Sequence, residues 1–112
     1  MIEKVVRDYL LEKMDGIPVY LEIPAKPPSK FVFIEKTGSR LSSFINTSTF
    51  AVQSNDTSMF KAATLNEMVI NALLEIIELD VIISINKTND YPWPNADRKE
   101  YRYQAVFEIK HY

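Results

Sequence analysis

Apolar residues recur at helical spacing near the start of the chain, with charged residues between them. The apolar positions are Ile2, Val5, Val6, Tyr9 and Leu10. This spacing predicts an amphipathic helix of about three turns. The pair Asp15-Gly16 is expected to end it, because glycine readily adopts the left-handed backbone of a helix cap.

A second helical segment, residues 58–79, is apolar on almost every side. Its polar side chains fall within an arc of about 80° when each residue is rotated by about 100° from the last. These polar residues are Thr64, Glu67, Asn71, Glu75 and Glu78. A helix of this kind is buried on most sides. We expect the core positions to be Val69, Leu73, Ile76 and Ile77. Three further apolar residues are candidates for a subunit contact: Met68, Ala72 and Leu79. The alternative is that they pack in the chain's own core.

Five segments have the alternation or the β-branched content that is typical of strands. They are residues 18–23, 30–37, 44–54, 81–87 and 101–111. The first begins and ends at prolines and fits a sheet edge. The second is apolar on both faces, which is typical of a central strand or one covered on both sides. In the last strand, the predicted core-facing residues are Tyr101, Tyr103, Ala105, Phe107 and Ile109.

The order of these elements, α-β-β-β-α-β-β, predicts an α+β fold. The short connections and alternating strands favour a mostly antiparallel sheet, with the two helices packed on one face. A length of 112 residues fits one domain of ordinary size, so a single domain over residues 1–112 is expected.

Two polar stretches are predicted to be loops, and both carry candidate interface residues. Residues 38–43 place Arg40 and Leu41 at a hairpin tip, for which an ordinary mobile loop is the alternative. Residues 88–100 contain Tyr91 and Trp93, each followed by a proline, and also Arg98. An aromatic side chain between prolines loses little entropy on binding and is a candidate anchor for a partner. The alternative for Trp93 is that it folds back and plugs the edge of the core.

Composition narrows the classes of function. The 112 residues are 46% hydrophobic and 25% charged, which fits a folded soluble domain. Thirteen basic and fifteen acidic residues give a formal charge of −2, so no basic excess favours binding to nucleic acid or to an anionic membrane. The chain has no cysteine, which excludes disulfides, thiolate metal sites and cysteine nucleophiles. Its two glycines cannot build a phosphate-binding loop.

No catalytic residue, cofactor or metal site is predicted. The single histidine, His111, is expected to be exposed at the end of the last strand. The glutamates of the second helix fit a solvated face, and the acidic residues between 88 and 100 lack the spacing of metal ligands. The chain shows neither the pattern of a signal peptide nor that of a transmembrane span, so a reducing cytoplasm, or a particle assembled there, is the expected location.

Four strings resemble the small tail proteins of long-tailed bacteriophages. They are PVYLEIP (18–24), FVFIEKTG (31–38), TFAVQS (49–54) and YRYQAVFEIKHY (101–112). With the element order and the chain length, they make nearly the whole chain resemble the tail-terminator, or tail-completion, family. That family implies an α+β subunit that forms a hexameric ring. The ring caps the finished tail tube, ends its polymerisation and presents a surface for head-tail joining.

The resemblance also implies the partners and the location. The partners are other copies of the chain, the tail tube protein and a connector or neck protein of the head. The location is the virion, at the neck-proximal end of the tail, and the host cytoplasm during assembly. Another neck component, such as a stopper or connector adaptor, is the first alternative. A small-molecule-binding or enzymatic α+β domain is the alternative from another class, and it predicts a concave pocket with convergent polar groups.

Overall fold

Five strands form one mixed sheet, with the order β1-β2-β3-β5-β4, in the computed structural model, which describes residues 1–112. The strands are β1 (Val19–Tyr20), β2 (Phe31–Ser42), β3 (Ile45–Asp56), β4 (Ile82–Pro92) and β5 (Tyr101–His111). Only β1 and β2 run parallel, and every other neighbouring pair is antiparallel. The helices are α1 (Ile2–Lys13) and α2 (Met59–Leu74), and a 3₁₀ turn (Glu75–Glu78) follows α2. The predicted α+β fold and its element order are confirmed.

The core lies between the two helices and one face of the sheet. On that face β3 and β5 place Phe50 opposite Phe107 and Val52 opposite Ala105, and all four residues are fully buried. The helices supply the other side of the core with Val6, Leu10, Leu65, Val69, Leu73 and, from the 3₁₀ turn, Ile76. These positions follow the periods of strand and helix, which is why the apolar pattern identifies most of the core.

α1 ends where the sequence predicts. Gly16 follows the helix with a φ of 89°, in the left-handed region that glycine enters without a steric penalty. Two ion pairs connect α1 to its neighbours, Glu3 with Lys36 of β2 at 3.4 Å and Lys13 with Glu78 at 3.7 Å. Exposed pairs of this kind contribute little to stability, so the buried side chains of α1 hold it in place.

α2 is shorter than the predicted segment 58–79. It begins after Ser58, whose hydroxyl accepts a hydrogen bond from the Lys61 backbone N–H at 3.1 Å. After Leu74 the chain tightens into the 3₁₀ turn. A 3₁₀ turn has about 3.0 residues per turn in place of about 3.6, so side chains rotate away from the helical pattern. Ile77, predicted to be in the core, is 53% exposed for this reason.

β2 and β3 form a longer hairpin than the sequence predicts. The loop prediction for residues 38–43 is wrong, because β2 continues to Ser42 and pairs there with Ile45. The two-residue turn, Ser43 and Phe44, has φ values of 50° and 67°. Positive φ at both positions is the geometry of the type I′ turn that tight hairpins favour. The outer part of β2 is exposed on both faces, so it lacks the apolar alternation that would mark it as a strand.

The other two differences concern the edges of the sheet. β4 extends to Pro92, so much of the loop predicted at 88–100 is strand, and its register shifts between Lys87 and Asn89. β1 is reduced to two residues of the predicted segment 18–23. Neither helix has the length and apolar character needed to span a membrane.

Candidate interaction surfaces

The tip of the β2–β3 hairpin presents apolar side chains to solvent. We define the hairpin tip as residues 40–45. The predicted interface residues Arg40 and Leu41 both lie in it and are exposed, and Arg40 forms a 3.5 Å ion pair with Glu108 of β5. Phe44, in the turn, is 92% exposed. Phe44 is not among the predicted interface residues, because as the first residue of the predicted strand 44–54 it falls on the same face as Phe50 and Val52.

Phe44 combines this exposure with an unfavourable backbone conformation. Its φ of 67° lies in the left-handed region, which costs a bulky L-residue about 1 kcal/mol. Glycine or asparagine is preferred in such a turn. Phe44 therefore gains little burial to offset its backbone cost in a single copy of the chain.

Tyr91 and Trp93 lie together where β4 ends, as the sequence places them. Their ring centroids are 6.5 Å apart. The Arg102 guanidinium lies 5.1 Å from the centroid of the Trp93 ring, and its Nε donates a 2.7 Å hydrogen bond to the Trp93 carbonyl. Trp93 is 41% exposed and does not belong to the core cluster. These contacts hold the indole in place before any partner binds, which lowers the entropy cost of binding. The candidate Arg98 is exposed elsewhere in the same loop.

A row of side-chain hydrogen bonds joins this aromatic pair to the middle of the sheet. It lies on the sheet face that the helices leave uncovered. Gln53 Nε2 of β3 donates to Gln104 Oε1 of β5 at 3.1 Å, and Gln104 Nε2 donates to the Tyr91 hydroxyl of β4. Gln104 is buried even though it faces away from the helices. The row fixes the position of Tyr91 relative to three strands.

The candidates on the second helical segment lie in different surroundings. Met68 is exposed on the outer side of α2. Ala72 and Leu79 are partly buried and pack against the chain's own core. Phe60, at the start of α2, is 81% exposed and was missed by the sequence analysis. With Met68, Thr64 and Lys61 it lines a groove of about 410 Å³, which we call the α2 groove.

A cleft of about 350 Å³ lies between the segment that follows β1 and the adjoining ends of β3 and β5. Its apolar lining includes Ile23, Phe31 and Tyr101. Its rim carries two ion pairs, Lys30 with Asp56 at 3.9 Å and Arg102 with Glu100 at 3.6 Å. We call it the connector cleft. The cleft is lined by the last residues of β3, whereas the hairpin tip adjoins the first residues of that strand. The length of β3 therefore separates the cleft from the tip by about 37 Å.

His111 is buried, so the prediction that it is exposed is wrong. Its Nε2 lies 2.8 Å from the Ser48 hydroxyl, and its Nδ1 lies 3.1 Å from the Tyr112 carbonyl. Because a carbonyl only accepts, Nδ1 carries the proton and Nε2 accepts from Ser48. The last strand pairs with both β3 and β4 as far as His111, and the alternation of side chains places the ring on the same face as the core residues Phe107 and Ile109.

A serine hydroxyl donating to histidine also occurs in nucleophilic catalysis. Here Ser48 is only 1% exposed, at the edge of a pocket of about 310 Å³ that His111 also lines. The pair satisfies two buried polar groups and thereby stabilises the sheet. No group of three or more histidine and acidic side chains lies in an arrangement that could hold a metal ion.

The structure thus brings together Arg40 with Leu41, and Tyr91 with Trp93, at separate sites. No protein-family model matches the chain, and no curated protein is significantly similar to it. The resemblance to the tail-terminator family therefore stays a prediction.

Proposed function

We propose that the protein is a virion structural protein, a tail terminator that caps the phage tail tube as a ring of identical subunits. The ring ends tube polymerisation and offers a surface for head-tail joining. By resemblance to the family, the ring is a hexamer. The observation that carries the proposal is that exposed apolar side chains lie on two unlike surfaces at opposite ends of the subunit, the projecting hairpin tip and the concave connector cleft.

A ring requires contacts of this kind. Its subunits meet head to tail, so each subunit needs two different surfaces that complement each other. A subunit with one apolar patch would instead favour a two-fold dimer, in which the same patch meets itself. The hairpin tip projects from the subunit and the connector cleft is concave, so the two surfaces differ in shape and support a head-to-tail arrangement.

The edges of the sheet add a second means of association. β4 has no partner on its outer side, and β2 beyond Phe33 pairs only with β3. Unpaired edges present backbone N–H and C=O groups that a strand of another chain can bind. Because β2 and β4 run in opposite directions, a β4 edge placed beside the β2 edge of a similarly oriented copy gives an antiparallel pair.

The aromatic pair is the surface that we assign to the tube or the neck. Trp93 is half-exposed, fixed by Arg102 and adjacent to Tyr91. Tryptophan, tyrosine and arginine are the residues enriched at the energetic centres of interfaces. Since the tip and the connector cleft are assigned to contacts between subunits, this third surface remains for another protein.

Size-exclusion chromatography with light scattering, with and without purified tail tubes, tests the proposal. We expect a closed multimer with the mass of six chains that also binds the ends of tubes. The Trp93→Ala variant should form the multimer and bind tubes less. A chain that stays monomeric and never associates with tubes contradicts the proposal. A multimer that binds the head connector and not the tube identifies a stopper or adaptor instead.

A further inference from the structure

We propose that the hairpin tip of one copy docks into the connector cleft of a second copy, with Phe44 as the inserted side chain. The inference rests on the proposed function in one respect, since it names the contact that would join neighbouring subunits of the ring. The occupant of the cleft is thus a second copy of this chain, and the contact is head to tail.

Phe44 is both exposed and held in an unfavourable backbone conformation in a single copy of the chain. Its side chain is 92% exposed, and Leu41 nearby is exposed as well. The φ of 67° adds a backbone cost that glycine at this position would avoid. Residues held in disfavoured backbone regions cluster at functional sites. A partner that buries the ring would supply the stabilisation that the single copy lacks.

The connector cleft has the size and the apolar lining to accept a phenylalanine ring. Its volume of about 350 Å³ exceeds the roughly 150 Å³ of an apolar cavity that binds benzene, so a phenylalanine ring fits with room for a neighbouring aliphatic side chain. Ile23 and Tyr101 line the cleft, and both are partly exposed in the single copy. Tyr101 offers a partly exposed aromatic ring to the inserted side chain, whereas Phe31 is buried beneath the lining.

The charge of Arg40 at the tip can be matched by an acidic residue of the cleft. Arg40 is the only charged residue between Thr37 and Thr47. Its partner Glu108 is partly exposed, so the 3.5 Å pair can be exchanged at little cost. The cleft is lined by two acidic residues, Asp56 and Glu100, and by two basic residues, Lys99 and Arg102. The Glu100 side chain is 40% exposed and its carboxylate lies 3.6 Å from Arg102. Glu100 is the acceptor we assign to Arg40 of the docked copy.

The positions of the tip and the cleft allow contact only between different copies of the chain. The tip and the cleft lie at opposite ends of β3, so a copy cannot insert its tip into its own cleft. Each docked copy leaves one tip and one cleft free for the next, and such contacts close into a ring when the rotation permits. Prolines at positions 24, 27 and 28 stiffen the segment that forms one wall, so docking orders little additional chain.

Disulfide trapping tests the contact directly, because the chain contains no cysteine of its own. Ser42→Cys places a thiol beside the tip and keeps Phe44, and Ile23→Cys places one in the cleft. With oxidised glutathione as the oxidant, the double variant should give a ladder of covalent multimers on a non-reducing gel. Each single variant should give dimers at most, because a disulfide needs Cα atoms within about 7 Å.

The matched control moves the second thiol to the α2 groove. Ser42→Cys with Thr64→Cys should give no ladder, since Thr64 lines that groove and not the cleft. A ladder from this pair and none from the first would overturn the inference in favour of the α2 groove. Equal ladders from both pairs, or none from either, would overturn it as well.

A second measurement compares two exposed phenylalanines in the cysteine-free chain. Phe44→Ala should weaken self-association at least about tenfold, measured by light scattering over a dilution series. Phe60→Ala removes the same side chain from α2 and should leave association unchanged. If Phe44→Ala assembles like the unmodified chain and still caps tubes, the inference fails and the proposed function stands. If the tip and cleft cross-link but no tube is bound, the inference stands and the proposed function fails.

Discussion

Phe44 and Phe50 lie six positions apart at the start and middle of the same hairpin arm, yet one is 92% exposed and the other is fully buried. Phe50 faces the helices, and Phe107 of β5 lies directly opposite it. Phe44 lies beyond the area that α1 and α2 cover. The comparison shows that the helices determine which apolar side chains stabilise the fold. Those outside their cover are free to contribute to contacts with other chains.

The largest expected change in the free energy of unfolding comes from removing an aromatic ring that the helices cover. Phe107→Ala should lower the free energy of unfolding by about 3–5 kcal/mol, because it removes a fully buried ring and leaves a cavity. Phe44→Ala should change it by less than about 0.5 kcal/mol, since that ring is already in water. Urea denaturation followed by circular dichroism measures both, at concentrations where the chain is monomeric. Similar losses in the two variants would remove the distinction between the regions.

The same distinction explains how far the sequence predicts the fold. Under the helices, apolar residues repeat with the period of the element, so the positions of Val52, Leu73 and Phe107 could be predicted. Outside that cover, strands are held by backbone hydrogen bonds that leave no apolar pattern. The outer part of β2 and the end of β4 were therefore assigned to loops.

The candidate sites follow a related rule. The sequence places Tyr91 and Trp93 in one loop two positions apart, but the contact between their rings depends on β4 continuing to Pro92, which the sequence does not predict. The burial of His111 could not be predicted either, because it depends on the register of β5 against both neighbours and on Ser48, which is distant in the sequence. The connector cleft depends on how the segment after β1 returns to the sheet, and no periodicity records that path.

The ionisation of Tyr9, a residue of the core, gives a second test of the region that the helices cover. Burial, followed by the nearby Glu78, Glu75 and Glu12 carboxylates, raises the pKa of Tyr9 to about 12. The unfolded chain gives up this proton near pH 10, so Tyr9 contributes its full stability below pH 10 and loses it as the pH rises toward 12.

Tyr9→Phe removes the proton and keeps most of the packing. We therefore expect the free energy of unfolding to fall less steeply between pH 10 and 12 in this variant than in the unmodified chain. Urea titrations at several pH values measure the difference, and every other ionisable side chain is common to both proteins. Parallel pH profiles would show that the Tyr9 hydroxyl ionises as easily in the folded state as in the unfolded state.

The smallest expected effect lies at the hairpin tip and has the opposite sign. Phe44→Gly should raise the free energy of unfolding of the monomer by about 0.5–1 kcal/mol, because glycine adopts a φ of 67° without the clash of a Cβ atom. Phe44→Ala keeps the Cβ atom and therefore serves as the control that should gain nothing. Both variants lose the ring, so both should assemble poorly, and only the glycine variant should need more urea to unfold. A glycine variant that is no more stable than the alanine variant would mean that the turn relaxes around Phe44 at no cost, and the tip would then hold its aromatic side chain without any conformational penalty.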